Sequence, residues 1–312
     1  MNVHVDYTAP VSDQPFVRNL LRGSMKSMFR GLIRPPVPIA TQRAILRLMT
    51  SGMPLAKGVS RTQEVIAGSA CEWHRPERAD ERVMLYLHGG AYLIGSPATH
   101  RGICAGIASR SSVSVCVLDY RLAPEYPYPA ARDDAVAAYQ ALLARGYRPS
   151  DITLAGDSAG GNLALVTALR LRELELPLPG ALVCLSPVVD FTAEHLHEPA
   201  VGDPLLNRSW IEQATDAYCP SGMSRKDPGL SPIYGDLAGL PPLLIQVAED
   251  EILLNDSFRL AEKARSAGVS VQLEYYPALW HVFQANTGVL KSADHALDRI
   301  AAFLPQTGAR VS

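Results

Sequence analysis

The 312-residue sequence predicts an α/β fold, a mostly parallel sheet with helices on both faces. Three observations carry this. Six short apolar runs, at 82–88, 112–120, 151–157, 181–186, 242–249 and 269–276, are nearly continuous in β-branched and aliphatic residues, as strands buried on both faces must be. Between them, 131–147 and 162–174 repeat apolar residues at three- and four-residue spacing and close on Gly or Pro, the pattern of helices. A Gly-x-Ser-x-Gly pentapeptide, 156–160, falls where one strand hands over to a helix.

Residues 1–55 stand before this rhythm. They read as two amphipathic helices, FVRNLLRGSMKSMFRGLI and TQRAILRLM, separated by PPVP, and form N-terminal cap helices ahead of a catalytic domain at 56–312. The core alternation starts near residue 63. Strand 82–88 runs into His88-Gly89-Gly90-Ala91-Tyr92, and strand 112–120 into DYRLAPEYPYPAARDD and the helix that follows. Strand 151–157 ends at the pentapeptide. After strand 181–186 the alternation breaks for residues 188–232, which hold a helical WIEQATDAY between Pro- and Gly-containing loops and read as a cap insertion. Insertions at the carboxyl edge of such a sheet are where sites are built, so both outlying stretches are candidates to cover one.

Composition narrows the class. A hydrophobic fraction of 47%, a charged fraction of 19% and a net charge of -2 are ordinary for a soluble enzyme and give no reason to expect nucleic acid or an anionic membrane as partner. No basic start followed by an apolar run opens the chain, and no stretch reaches the roughly 18 apolar residues of a membrane span. The expectation is a cytoplasmic protein without stable membrane insertion. Five widely spaced cysteines without C-x-x-C argue for reduced thiols, and no histidine or acid cluster has ligand spacing, so neither metal nor cofactor is expected. A homodimer is left open.

The chemistry lies in three motifs. In Gly156-Asp157-Ser158-Ala159-Gly160 a sharp strand-to-helix turn lifts the Ser158 hydroxyl into the open and sets the Ala159 N–H at a helix N-terminus, where it can meet a developing oxyanion. The His88-Gly89-Gly90-Ala91 loop resembles the H-G-G-G wall of the oxyanion hole, which adds the N–H groups of Gly89, Gly90 and Ala91 as candidates. Alanine at the third position still supplies an N–H but restricts the backbone more than glycine. His281, after the last strand and before the last helix, fits the general base, because the order Ser, acid, His places it there. His195 and His197 lie in the insertion and His295 in the final helix. The acid should follow strand 242–249, where Glu249, Asp250, Glu251 and Asp256 compete; alternation along an extended chain would put Asp250 opposite the other two, and Asp256 reads as an N-cap.

Together HGGAY, DYRLAPEYPYPAARDD, GDSAGGN and the late acid-x-x-Leu followed by His-x-Phe resemble the hormone-sensitive-lipase-like (family IV) carboxylesterases of the α/β-hydrolase superfamily, over about residues 60 to 305. The resemblance implies the α/β-hydrolase fold with a helical cap, a small-molecule ester as partner, and hydrolysis of short-acyl esters, with lactones and acetylated small molecules in range. It also implies Glu251 as the acid, 30 residues before His281, with glutamate where the family usually has aspartate. In the same light Tyr120, Arg121, Pro124 and Glu125 are expected to brace the turn beneath the site. Two rivals share the fold: an amidase or peptidase on the same triad, and a silent small-molecule receptor, a class expected to lose the triad histidine that is retained here.

Overall fold

The computed structural model describes residues 3–51 and 56–305. The boundary drawn at residue 55 borders 52–55, which lie outside the described residues. Among the described residues nine strands form one sheet. The chain opens with β1 (Tyr7–Thr8) and two helices, α1 (Pro15–Leu32) and α2 (Ile39–Thr50), before an antiparallel hairpin of β2 (Val59–Ile66) and β3 (Ser69–Pro76). The alternating part follows as β4 (Val83–Leu87), α3 (Arg101–Ser111), β5 (Ser114–Leu118), α4 (Ala130–Ala144), β6 (Ile152–Asp157) and α5 (Ala159–Glu173). It closes with β7 (Ala181–Leu185), α6 (Arg208–Tyr218), β8 (Leu243–Ala248), α7 (Leu254–Ser266), β9 (Val271–Tyr276) and α8 (Lys291–Phe303).

The strand order is β1-β9-β8-β7-β6-β4-β5-β3-β2, parallel throughout except at the β2–β3 and β3–β5 pairs. Every residue of β4 through β8 is buried, and the pleat sends neighbours to opposite faces. In β4, Val83, Leu85 and Leu87 join the core under α4, α5 and α7, whereas Met84 and Tyr86 join the one under α3 and α8. A strand with two covered faces has no room for alternation with polar residues, which is why these runs are legible as continuous apolar stretches.

The hairpin and β1 were not anticipated. Strand β2, VSRTQEVI, is mostly exposed at the sheet edge, and β3 carries Glu72 and His74, so neither has the apolar run of a central strand. The helix expected to begin near Ser257 starts at Leu254, which corrects the reading of Asp256. That residue sits buried in the first turn, and its carboxylate accepts the Val189 N–H at 2.8 Å instead of capping its own helix. Four cysteines are buried, Cys219 is half-buried, and all five are free thiols. Among the described residues no helix is long and apolar enough to cross a membrane.

Candidate active site

Ser158 occupies the single residue between β6 and α5, at φ 53° and ψ -118°. A non-glycine residue held there stores roughly 1–3 kcal/mol of strain. The surroundings enforce it: Ser158 N donates to Leu185 O at 2.8 Å, and its carbonyl accepts from Asn162 and Val188. Gly160 is obligatory, because a Cβ would fall 1.9 Å from Leu87 O on the adjoining strand.

The loop after β4 turns through three residues of positive φ, Gly90 (118°), Ala91 (55°) and Tyr92 (61°). Ala91 thus takes the left-handed conformation despite its methyl. At Gly90 a Cβ would meet Ile94 O at 2.2 Å. Among the described residues the N–H groups of Gly90, Ala91 and Ala159 have no protein acceptor. Gly89 differs, and its place among the oxyanion donors is withdrawn. Its N–H points away from the site to Asp157 Oδ1 at 3.0 Å.

Asp157 is the residue that sequence reasoning passed over. Buried behind Ser158, it accepts from Tyr86 Oη at 2.8 Å and from Gly89, and lies 3.4 Å from His100 Nε2, so it ties the serine turn to the glycine loop. Burial alone would raise its carboxyl pKa, but His100 and the Tyr86 hydroxyl outweigh it and hold the pKa below the usual value. The only signal was an acid immediately before the serine. Behind the loop, Tyr120 stacks on the His88 ring at 4.2 Å and donates to His88 O at 2.5 Å. Burial holds His88 neutral, with its pKa pushed down to about 3. Glu125 receives both guanidinium ends of Arg43, at 2.9 and 2.7 Å, so the DYRLAPE stretch braces the glycine loop on one side and anchors α2 on the other.

His281 is buried, with Nδ1 3.5 Å from Glu251 Oε1. That separation suits an ion pair and exceeds a hydrogen bond, and among the described residues neither atom has another hydrogen-bond partner. The other Glu251 oxygen accepts from Ser186 Oγ at 2.7 Å and Ala248 N at 3.0 Å, which aims Oε1 at the ring. Burial would lower the imidazole pKa; Glu251, and beyond it Asp203 and Asp157, raise it above the usual value. The competing acids are engaged elsewhere. Glu249 accepts the Ala278 N–H, Asp250 pairs with Arg22 of α1 at 2.7 Å, and Asp256 faces Val189 with its pKa pushed up to about 7 by burial.

Ser158 and His281 both face a cavity of about 280 Å³ walled by Leu21, Met25 and Phe29 of α1, Leu46 and Met49 of α2, and Leu206 and Trp210 of the 188–232 segment. A second space of about 40 Å³ also meets Ser158, bounded by Ala91, Ala159 and Phe191 and sharing Trp210 with the first. His281 borders the large space and not the small one.

A family model described as alpha/beta hydrolase fold matches residues 84–285. The chain belongs to that family. Within it, this hydrolase is 40% identical over 272 residues to an acetyl-hydrolase of Streptomyces hygroscopicus, covering 86% of this chain and 89% of the relative. It is also 40% identical over 240 residues to an esterase of Acinetobacter venetianus, covering 76% and 79%. A solved esterase from the bacterial hormone-sensitive lipase family superposes with a TM-score of 0.87 at 39% identity, over 92% of this chain and 97% of that one. The protein is therefore a carboxylester hydrolase of the hormone-sensitive-lipase-like group, with the parallel sheet and flanking helices of its relatives.

Proposed function

We propose that this hydrolase cleaves short-acyl esters of bulky apolar alcohols through Ser158, His281 and Glu251. The division of space around Ser158 is the observation that carries it. The leaving alcohol must take a proton from His281 and so occupies the large compartment; the acyl group is left the small one. Ser158 loses its proton to His281 as its oxygen attacks the ester carbonyl, and Glu251 fixes the imidazole tautomer and stabilises its charge. Gly90, Ala91 and Ala159 donate to the tetrahedral oxyanion. The alcohol departs with the proton, leaving an acyl-serine that water, activated by the same histidine, cleaves.

Open-chain esters suit this arrangement better than lactones, whose two halves are joined and cannot diverge into separate compartments. The test is a matrix of esters varied separately in each half. Acetyl and propanoyl esters should give the highest kcat/KM, with strong loss by octanoyl, while lengthening the alcohol should cost little. Equal tolerance on both sides, or preference for long acyl chains, would refute the assignment of compartments. A p-nitroanilide matched to the best ester distinguishes amidase activity.

A further inference from the structure

We propose that the outer face of α1 and α2 docks on an anionic lipid bilayer, holding the cavity mouth at the membrane surface. The net charge of -2 is an average over two unlike parts. Residues 15–50 carry seven Lys and Arg and no Asp or Glu, which leaves -9 for the rest of the chain. Two of the seven are neutralised, Arg22 by Asp250 and Arg43 by Glu125. Arg18, Lys26, Arg30 and Arg34 have no ion-pair partner among the described residues, Arg47 lies within electrostatic reach of Asp119, and all but Arg18 are exposed.

The same surface is apolar where most helices are polar. In α1 the stripe of Leu21, Met25 and Phe29 lines the cavity, as an amphipathic helix requires. Phe16 and Leu20, one turn apart on the outer side, are nevertheless 78% and 62% exposed, and on α2 Leu48 is 76% exposed. Exposed aromatic and aliphatic side chains among unpaired cations are the composition of a helix that lies in a lipid interface and is drawn there by anionic headgroups. A second copy of this face would bring like charges together, so self-association is the poorer match. Docking there would place α1 and α2, which wall the cavity, where esters of apolar alcohols partition.

The test is co-sedimentation of the full chain with vesicles of equal phosphatidylglycerol and phosphatidylcholine, and with phosphatidylcholine alone. Binding should require phosphatidylglycerol and weaken with added salt. The double variant Lys26→Gln/Arg34→Gln should lose roughly fivefold in affinity per charge, about 25-fold in all. Phe16→Ser/Leu20→Ser should also weaken binding. None of these side chains lines either compartment, so both variants should hydrolyse a water-soluble ester at the parent rate. The proposal fails if the parent ignores phosphatidylglycerol or if the variants bind as it does. It also fails if the parent is a lipid-free dimer that Phe16→Ser/Leu20→Ser dissolves, since the face then belongs to a second copy. The readout is binding, so it stands or falls separately from the ester specificity.

Discussion

At the scale of single residues, four acids within eight positions divide by what each touches. Only Glu251 reaches His281, and its second oxygen is fixed by Ser186 and Ala248. On the proposed mechanism Glu251→Gln should cost on the order of 10³–10⁴ in kcat with little change in fold, by analogy with known triad carboxylates. Asp256→Asn should leave kcat close to the parent value; a larger loss there than at Glu251 would reassign the acid. Asp256 should instead govern stability. Its folded pKa of about 7 lies above the unfolded value of about 3.9, so the folded state holds the extra proton and stability falls as pH rises from about 4 to 7. Thermal melts of Asp256→Asn should gain on the parent as pH rises through that window, and a constant difference would count against it. His281 has the opposite bearing on activity. On the proposed mechanism only neutral imidazole accepts the serine proton, so its raised pKa should place the acidic limb of kcat/KM above the reference value of about 6.5, with activity lost as pH falls through it. A profile flat from pH 5 to 9 with a non-ionising substrate would contradict this. The positions of Ser158 at a strand-turn-helix junction and of His281 after the last strand, facing one cavity, were legible because junction and chain order are local facts. Which N–H of two consecutive glycines faces the site was not, since Asp157, 68 residues away, turns that of Gly89 inward.

Among elements, the turn carrying Glu251 is gripped both by α1 and by the 188–232 segment. Arg22 of α1 holds Asp250 and lies 6.0 Å from the Trp280 ring, so it touches the neighbours of both the acid and the histidine. Asp203, in the 188–232 segment, accepts the Ile252 N–H at 3.0 Å, and Arg30 of α1 donates to the Asp203 carbonyl. Arg22→Gln should lower kcat about tenfold, equivalent to ~1.4 kcal/mol, by loosening the Glu251–His281 pair more than substrate binding. Asp250→Asn should do much the same, and the double variant should be no worse than either alone, because one contact is lost in all three. Additive losses would separate the two residues. The central strands and their helices were readable because burial on two faces leaves an unbroken apolar record. The edge strands β1 and β2, and β3 beside β2, were not, since their pairing depends on neighbours and not on their own composition.

On the scale of the whole molecule, the N-terminal helices close a cavity that the α/β core leaves open at its carboxyl edge. Removing residues 1–45 should expose the apolar floor beneath Leu21, Met25 and Phe29, lower solubility and reduce kcat/KM far more than trimming residues 306–312. A soluble truncation with unchanged kcat/KM would make these helices peripheral. Their closeness to the site could be suspected from sequence, because two amphipathic segments stood outside the strand-helix rhythm; their charge was hidden in the net value for the chain. The unequal division of space at Ser158 bears, finally, on the fate of the acyl-enzyme. On the proposed mechanism, once the alcohol has left, a small acyl group on Ser158 faces a vacated space of about 280 Å³ lined in part by methionine, leucine and phenylalanine side chains, a poor setting for water. A second apolar alcohol should fill that room more readily than water does. Added hexanol should therefore divert turnover from hydrolysis to hexyl acetate, in a proportion that rises with the chain length of the acceptor, making the same machinery a transacylase wherever such alcohols are concentrated.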